Sequence, residues 1–569
     1  MNRKSFLTAK TEYKKPLNIQ SINKTARINS GVAPYTGTWG NSQITHLLKR
    51  TMFGSTRADI QYFKTKTMSQ AVDELCTPLT APAPPLNHYQ GKDNGSGQPL
   101  VDPTGILKGQ TWVNADYGDG TTNFYREYSL KSWWIGLMHN QGRNITEKMT
   151  LFWHNHFPTQ MEVVGDARFA YKNNALLRSY ALGNFKALAK AIVLDPMMLI
   201  YLNNFVNTKF APDENLAREL QELFVCGKGP NSQYTEDDVK AFAKVLTGIG
   251  LNYNVTKSSW DVNYVFNPNN HDTSNKTFSG FYSNTIITGQ TGANGINELD
   301  ALINMIFAAK PTGQALPEAA YFICRKLYRW FVYYNIDAAT ETNVIAPMAQ
   351  VFFSANWDIT VPLKLLLKSE HFYDVLNMGC QIKGGIDFTL GLLREMKVVM
   401  QDPDITKQYD TWTYVQYELI NIQQPVGEPP NVAGWPAYYQ EPVYYETWIN
   451  TDTLPKRGDF TNALILYGYG LIPAIDVIGF VETLSNPSDP NIIVSETLDI
   501  LIKIDISQVN RDFIKTSTLL GNLTNDIYWT QAWNLYKADT TNAINKNVVK
   551  QRLQVFFYYI MSLAEYQLS

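Results

Sequence analysis

The sequence predicts a mainly α protein: a multi-helix globular array with long irregular loops and at most a small β-hairpin. Three observations carry this reading. Apolar residues recur at helical spacing through most of the chain. Capping residues and glycine stops bracket the periodic segments. The aperiodic stretches are few, long, and rich in Gly, Pro, Asn, Thr and Tyr.

Residues 1–40 are polar, basic and aperiodic, and read as an N-terminal arm. Residues 41–569 read as one helical unit with loop excursions near 77–123, 251–294 and 402–457. Helical signals begin near Gln43. The first excursion contains the Ala-Pro-Ala-Pro-Pro run at 81–85. Asn144 with Glu147 can cap a helix carrying Met149 and Phe152. Residues 178–194 read as another helix, stopped by Asp195-Pro196. Asp213 can cap a helix running to Cys226, with Gly227 as its stop. Thr235 and Asp238 have the spacing of a capping box and open a helix that ends at Gly248. Residues 277–281 and 285–288 suit a short hairpin. Helices return over 296–376 and again after 458. Loops as long as these excursions are uncommon unless they carry function.

Composition narrows the function. Lys+Arg number 49 against Asp+Glu 51, a net charge of −2, which leaves no footprint for wrapping a polyanion, so no nucleic-acid partner is expected. The 44% hydrophobic content excludes wholesale disorder. Charged residues are only 18% and aromatics reach 13%, a balance suited to extended contact surfaces. The four cysteines are scattered without a C-x-x-C pair, which argues against a zinc ribbon or a thioredoxin-like motif. They read as buried thiols. The most apolar stretch, 463–480, is broken by Gly468, Gly470, Pro473 and Asp476, so no integral membrane segment is expected. The first residues are basic but lack an apolar export core, which favours a cytoplasmic protein, with delivery by an exported partner as the alternative. Zincin, nucleophile-elbow, Walker A and dinucleotide-binding signatures are all missing from the sequence.

Two constellations can carry chemistry. At about 100° per residue, Leu216, Leu220, Leu223 and Phe224 form the buried face of the 214–226 helix, and Glu214 pairs with Arg218 in water. Asn215, Glu219 and Glu222 fall on one flank. A half-buried carboxylate there needs a partner: an arginine such as Arg178 or Arg325, a metal, or a hydrogen-bond network. The second constellation is Trp153-His154-Asn155-His156-Phe157. Residues two apart on a helix point about 200° from each other, so this pair chelates only if the chain has left the helix by His154. Pro158 permits that. His271, after an Asn-Pro-Asn-Asn turn, is a further candidate ligand. With a carboxylate, the imidazoles could hold a divalent metal such as zinc or iron. A purely structural role for all of them is the alternative.

Several blocks, in order, make the chain recognisable. They are residues 46–54 (opening His46-Leu47-Leu48-Lys49-Arg50), 147–157 (Glu147-Lys148-Met149 through His156-Phe157), 214–223, 234–239 with 246–248, His271-Asp272, 322–327, and Pro429-Pro430-Asn431-Val432-Ala433-Gly434-Trp435-Pro436. Together they resemble the bacterial family called domain of unknown function 1800, over roughly 41–569. The resemblance implies a mainly helical fold. It also implies a possible partner, since genes of such proteins often lie beside those of a sulfatase-like family, domain of unknown function 1501. It implies no established reaction.

In the last block two prolines stiffen the chain, Gly434 allows a left-handed turn and Trp435 anchors the loop. It is either a structural loop or one wall of a cleft in which Trp435 or Trp448 stacks on a ligand; Arg178 is a third candidate ligand-binding residue. Two functions follow as expectations. In the first, His154, His156, His271, Asn215, Glu219 and Glu222 converge, a divalent metal binds, and a free carboxylate serves as general base in a metal-dependent hydrolase. In the second, the protein is a non-catalytic scaffold whose aromatic loops contact the sulfatase-like partner. Carbohydrate binding by Trp and Tyr loops is a weaker third.

Overall fold

The computed structural model describes residues 30–93, 95–252 and 262–569. Among the described residues the chain is mainly α, with two small two-stranded antiparallel sheets. Most of the expected N-terminal arm, 1–29, lies outside the described residues. The expected hairpin forms: Lys276–Thr277 pairs with Ile286–Ile287. A second pair, Ile249–Leu251 with Tyr264–Phe266, follows the Glu236–Leu246 helix. Strands of three residues are too short to show a period in the sequence. Among the described residues, no helix is long and apolar enough to cross a membrane.

The centre of the fold is the helix Thr146–His156, buried at every position. It starts where Asn144 Oδ1 accepts the Thr146 backbone N–H at 2.8 Å. Glu147 does not close a capping box, because Arg178 claims it. The helix runs on through His156 and ends at Phe157, which has left helical angles ahead of Pro158. A helix that carries Glu, Lys, His and Asn and is buried on all sides must find partners for each of them.

Local capping chemistry accounts for two differences from the sequence reading. Residues 178–194 are not one helix. Ala167–Ser179 stops, and Asn184 caps a new helix, Phe185–Val193, by accepting from the Ala187 N–H at 2.9 Å. Asp195-Pro196 is then a start as well as a stop, since Asp195 accepts from the Met198 N–H at the head of Pro196–Tyr201. The third expected loop excursion contains the 17-residue helix Ile405–Asn421. Its buried stripe is Tyr409, Trp412, Val415 and Leu419, in which rings replace the aliphatic residues that usually mark a helix. This helix lies along Gly120–His139. Contact is close enough that a Cβ on Gly136 would stand 2.7 Å from the Trp412 indole.

The acidic helix also departs from its projection. Only Asn215–Glu219 is α; Leu220–Val225 is a π turn, closed by Cys226 N–H on the Gln221 carbonyl at 3.0 Å. A π turn inserts an extra residue, so a 3.6-residue projection slips beyond Leu220. Leu216, Leu220 and Phe224 are buried as expected, but Leu223 is only half-buried and Glu222 is buried in its place.

Candidate functional site

Continuation of the central helix through His156 decides the geometry of the two histidines: they point to opposite sides. His156 is held between two elements. Its Nε2–H donates to the Phe224 carbonyl at 2.9 Å, and its Nδ1 accepts from Lys326 Nζ at 3.0 Å. Burial, then the Lys326 charge, pushes its pKa well below the ordinary value. Lys326 also donates to the Leu223 carbonyl at 3.2 Å, and burial beside Arg329 lowers its pKa to about 7. The two carbonyls of the π turn are thus clasped by a lysine and a histidine from distant segments. His154 faces the other way, edge-on to Trp134 with ring centroids 5.4 Å apart and 6.1 Å from Trp435. Neither of its ring nitrogens has a hydrogen-bond partner of good geometry. Burial lowers its pKa to about 4, an effect the nearby Thr159 backbone offsets only in part.

The other expected site residues are dispersed. His271 is buried between the Thr247 carbonyl (2.9 Å) and Glu298 (3.1 Å), and Lys276 takes the second Glu298 oxygen at 2.6 Å. Burial raises the Glu298 pKa, but hydrogen bonds from His271, Lys276 and the Gln290 N–H outweigh it and leave the carboxyl below its usual range. Asn215 is exposed. Glu222 pairs with Lys228 at 2.6 Å and with Arg218 at 3.6 Å. Glu219 is half-buried; burial and the neighbouring Glu222 raise its pKa, and its Oε2 is buried without a partner. Arg178 and Arg325 pair with neither acid. Arg178 makes a two-bond ion pair with Glu147, at 2.8 and 2.9 Å, which the Trp134 indole N–H completes. Arg325 bridges Glu318 and Glu341. The proposed convergence on one metal does not form: among the described residues, no group of three His, Cys, Asp or Glu side chains is placed to hold an ion.

Trp435 is buried, and its loop docks on the end of the central helix. Its backbone N–H donates to Asn155 Oδ1 at 2.8 Å. Gly434 adopts φ +87°, and a Cβ there would stand 2.5 Å from the Asn155 carbonyl oxygen. The loop then delivers Tyr438 to a narrow cleft that Trp448 also lines.

That cleft joins segments from across the chain. Lys49 and Arg50 come from the helix Asn41–Thr51, Lys148 from the central helix, and Arg329 and Trp330 from Glu318–Phe331. Asp387 stands on Gly385–Glu395. Tyr438 stacks on Trp330 with centroids 4.3 Å apart and meets Trp448 edge-on at 6.0 Å. Lys148 pairs with Asp387, and Lys49 with Glu395. Arg50 donates to Gln381 at 2.6 Å and to the Ser569 carbonyl at 2.8 Å, yet its Nε has no acceptor. The Trp330 indole N–H also lacks one. Sequence reasoning assigned these cations no role, although Lys49, Arg50 and Lys148 lie inside the blocks that carry the family resemblance.

Fold and cleft together define a mainly α protein with a cation-rich, aromatic-walled recess at the meeting of its signature blocks. The chain belongs to the family described as "Protein of unknown function (DUF1800)", whose family model matches residues 46–568. No curated protein and no solved structure matches it.

Proposed function

We propose that the protein binds a small-molecule ligand in the cleft between Arg50, Lys148, Trp330 and Trp448. One observation carries this reading: distant segments bring the cations of Lys49, Arg50, Lys148 and Arg329 and the rings of Trp330, Tyr438 and Trp448 to one recess, which has about 20 Å³ of free space and must open to admit a ligand. Hydrolysis at a His/Glu/Asn metal site receives less support, because His156, His271 and Glu222 already have partners of their own. Trp330 and Trp448 provide the assay. A panel of organic acids, phosphorylated metabolites and neutral sugars is titrated while tryptophan fluorescence and melting temperature are recorded. At least one class should change both in the native protein and neither in a folded Trp448→Ala variant. A panel without response would refute the reading.

A second reading is an accessory role beside a sulfatase-like protein. It is favoured by the exposed stripe Ile544, Val548, Val555 and Tyr558 on the helix Ala543–Met561. Co-expression with such a partner should give a complex that Val548→Glu weakens; native protein that elutes alone would count against it.

A further inference from the structure

A second recess is open enough to take a ligand as it stands. It is a groove with about 460 Å³ of free space, and it shares no lining residue with the cleft. Two helices end at it. Ile405–Asn421 brings Glu418 and Asn421 from its last turn. Thr453–Leu466 brings Lys456 and Asp459, then gives way to Tyr467 and Tyr469. The C-terminus of a helix is the negative end of its dipole, so both helices favour a cation here. The side-chain charges act in the same direction. Lys456 is taken by Asp452 at 2.8 Å. Asp459 is exposed and has no ion pair among the described residues. Glu418 is 2% exposed, and its Oε1 accepts no hydrogen bond of good geometry. Burial lifts its pKa to about 7, against the pull of Asn421, Tyr469, Arg457 and Lys456. Arg457 spends its donors elsewhere, on Gln567 and on the Lys383 and Trp448 carbonyls. A cation brought to the groove would therefore meet negative charge that no side chain neutralises.

We infer that this groove binds a quaternary ammonium group, held by the Asp459 carboxylate and the Tyr467 ring, with Glu418 as a fixed charge beneath it. Tyr467 is 77% exposed, so its ring is free to take a cation on its face. Tyr469 forms the adjoining wall and stands edge-on to Phe460, with centroids 5.1 Å apart. Rings beside carboxylates suit a bulky organic cation, which is drawn by charge and needs no set of hydrogen-bond acceptors. A metal ion is a poorer fit, because among the described residues no three His, Cys, Asp or Glu side chains converge on one point.

The test is calorimetric titration of the whole protein with choline chloride, in low-salt buffer at pH 8. Potassium chloride at matched ionic strength is the control. A second titration uses 3,3-dimethyl-1-butanol, a neutral molecule of the same shape as choline, and separates charge from apolar fit. Choline should bind saturably, and the alcohol about tenfold more weakly or not at all. Asp459→Asn should weaken choline binding about fivefold. Tyr467→Leu, which keeps apolar bulk and removes the ring, should weaken it about threefold. Both residues are exposed, so neither substitution opens the core. Native affinity should also fall several-fold from pH 8 to pH 6, as Glu418 takes up its proton, and Glu418→Gln should abolish that dependence. The inference is overturned by a response that potassium chloride equals, by equal binding of the alcohol, by an affinity unchanged in either variant, or by one that ignores pH.

Discussion

His154 offers a sharp test of how the centre of this fold is built. It is a buried imidazole with no hydrogen-bond partner of good geometry, and burial, offset only in part by the Thr159 backbone, lowers its pKa from the ordinary 6.5 to about 4. The unfolded chain takes up a proton near 6.5 and the folded chain only near 4. Between those values the unfolded state binds more protons, so stability falls as pH falls. The loss begins below about pH 6.5 and is complete near pH 4. At about 1.4 kcal/mol per pH unit, it is about 2 kcal/mol at pH 5 and about 3 kcal/mol in full. His46, His88, His139 and His156 are also pushed down, mainly by burial, and add to the acid sensitivity of the native protein. The comparison with His154→Phe isolates one contribution. Urea unfolding of both proteins at pH 7.5 and pH 5 should show the variant losing about 2 kcal/mol less than the native chain. Equal losses would mean that His154 is protonated as easily in the fold as out of it, and the account of its burial would be wrong.

Other outcomes follow from the same contacts. Glu147→Gln breaks the ion pair with Arg178 and leaves a buried guanidinium without its counter-charge, which should cost about 3–5 kcal/mol in urea unfolding. A loss below about 1 kcal/mol would show that the pair is dispensable. Gly434→Ala forces a side chain into a left-handed turn and against Asn155, at a cost of about 1–3 kcal/mol. Quenching of Trp435 by acrylamide should rise with it, and an unchanged melting curve would contradict the docking described. EDTA should leave the melting temperature unchanged, because His156 and His271 are occupied by carbonyl, lysine and carboxylate partners. A drop that zinc reverses would show that they can rearrange into ligands.

What the sequence revealed was mostly local. Thr235 and Asp238 do form a capping box, since both partners lie within one turn. The Lys276–Thr277 hairpin and the left-handed Gly434 were legible for the same reason. The π turn was not, because nothing in residues 220–225 announces it, and the groups that clasp its carbonyls, His156 and Lys326, come from elsewhere in the chain. The aromatic stripe of Ile405–Asn421 looked like a contact loop because rings do not distinguish a buried helix face from an exposed surface. The cleft was hidden most fully. Nothing local sets Lys49 and Arg50 apart, and the Glu395 and Gln381 side chains that they meet lie more than 300 residues away. The His-x-His pair illustrates the opposite error: a suggestive spacing loses its meaning once the helix is found to continue through it.

The most direct measurement is a crystal structure of the protein soaked with the member of the ligand panel that shifts its melting temperature most. That ligand is expected in the cleft, against Trp330, Tyr438 and Trp448, with the rings parted to admit it. Density for it only on the outer surface, with the cleft closed, would contradict the ligand-binding reading.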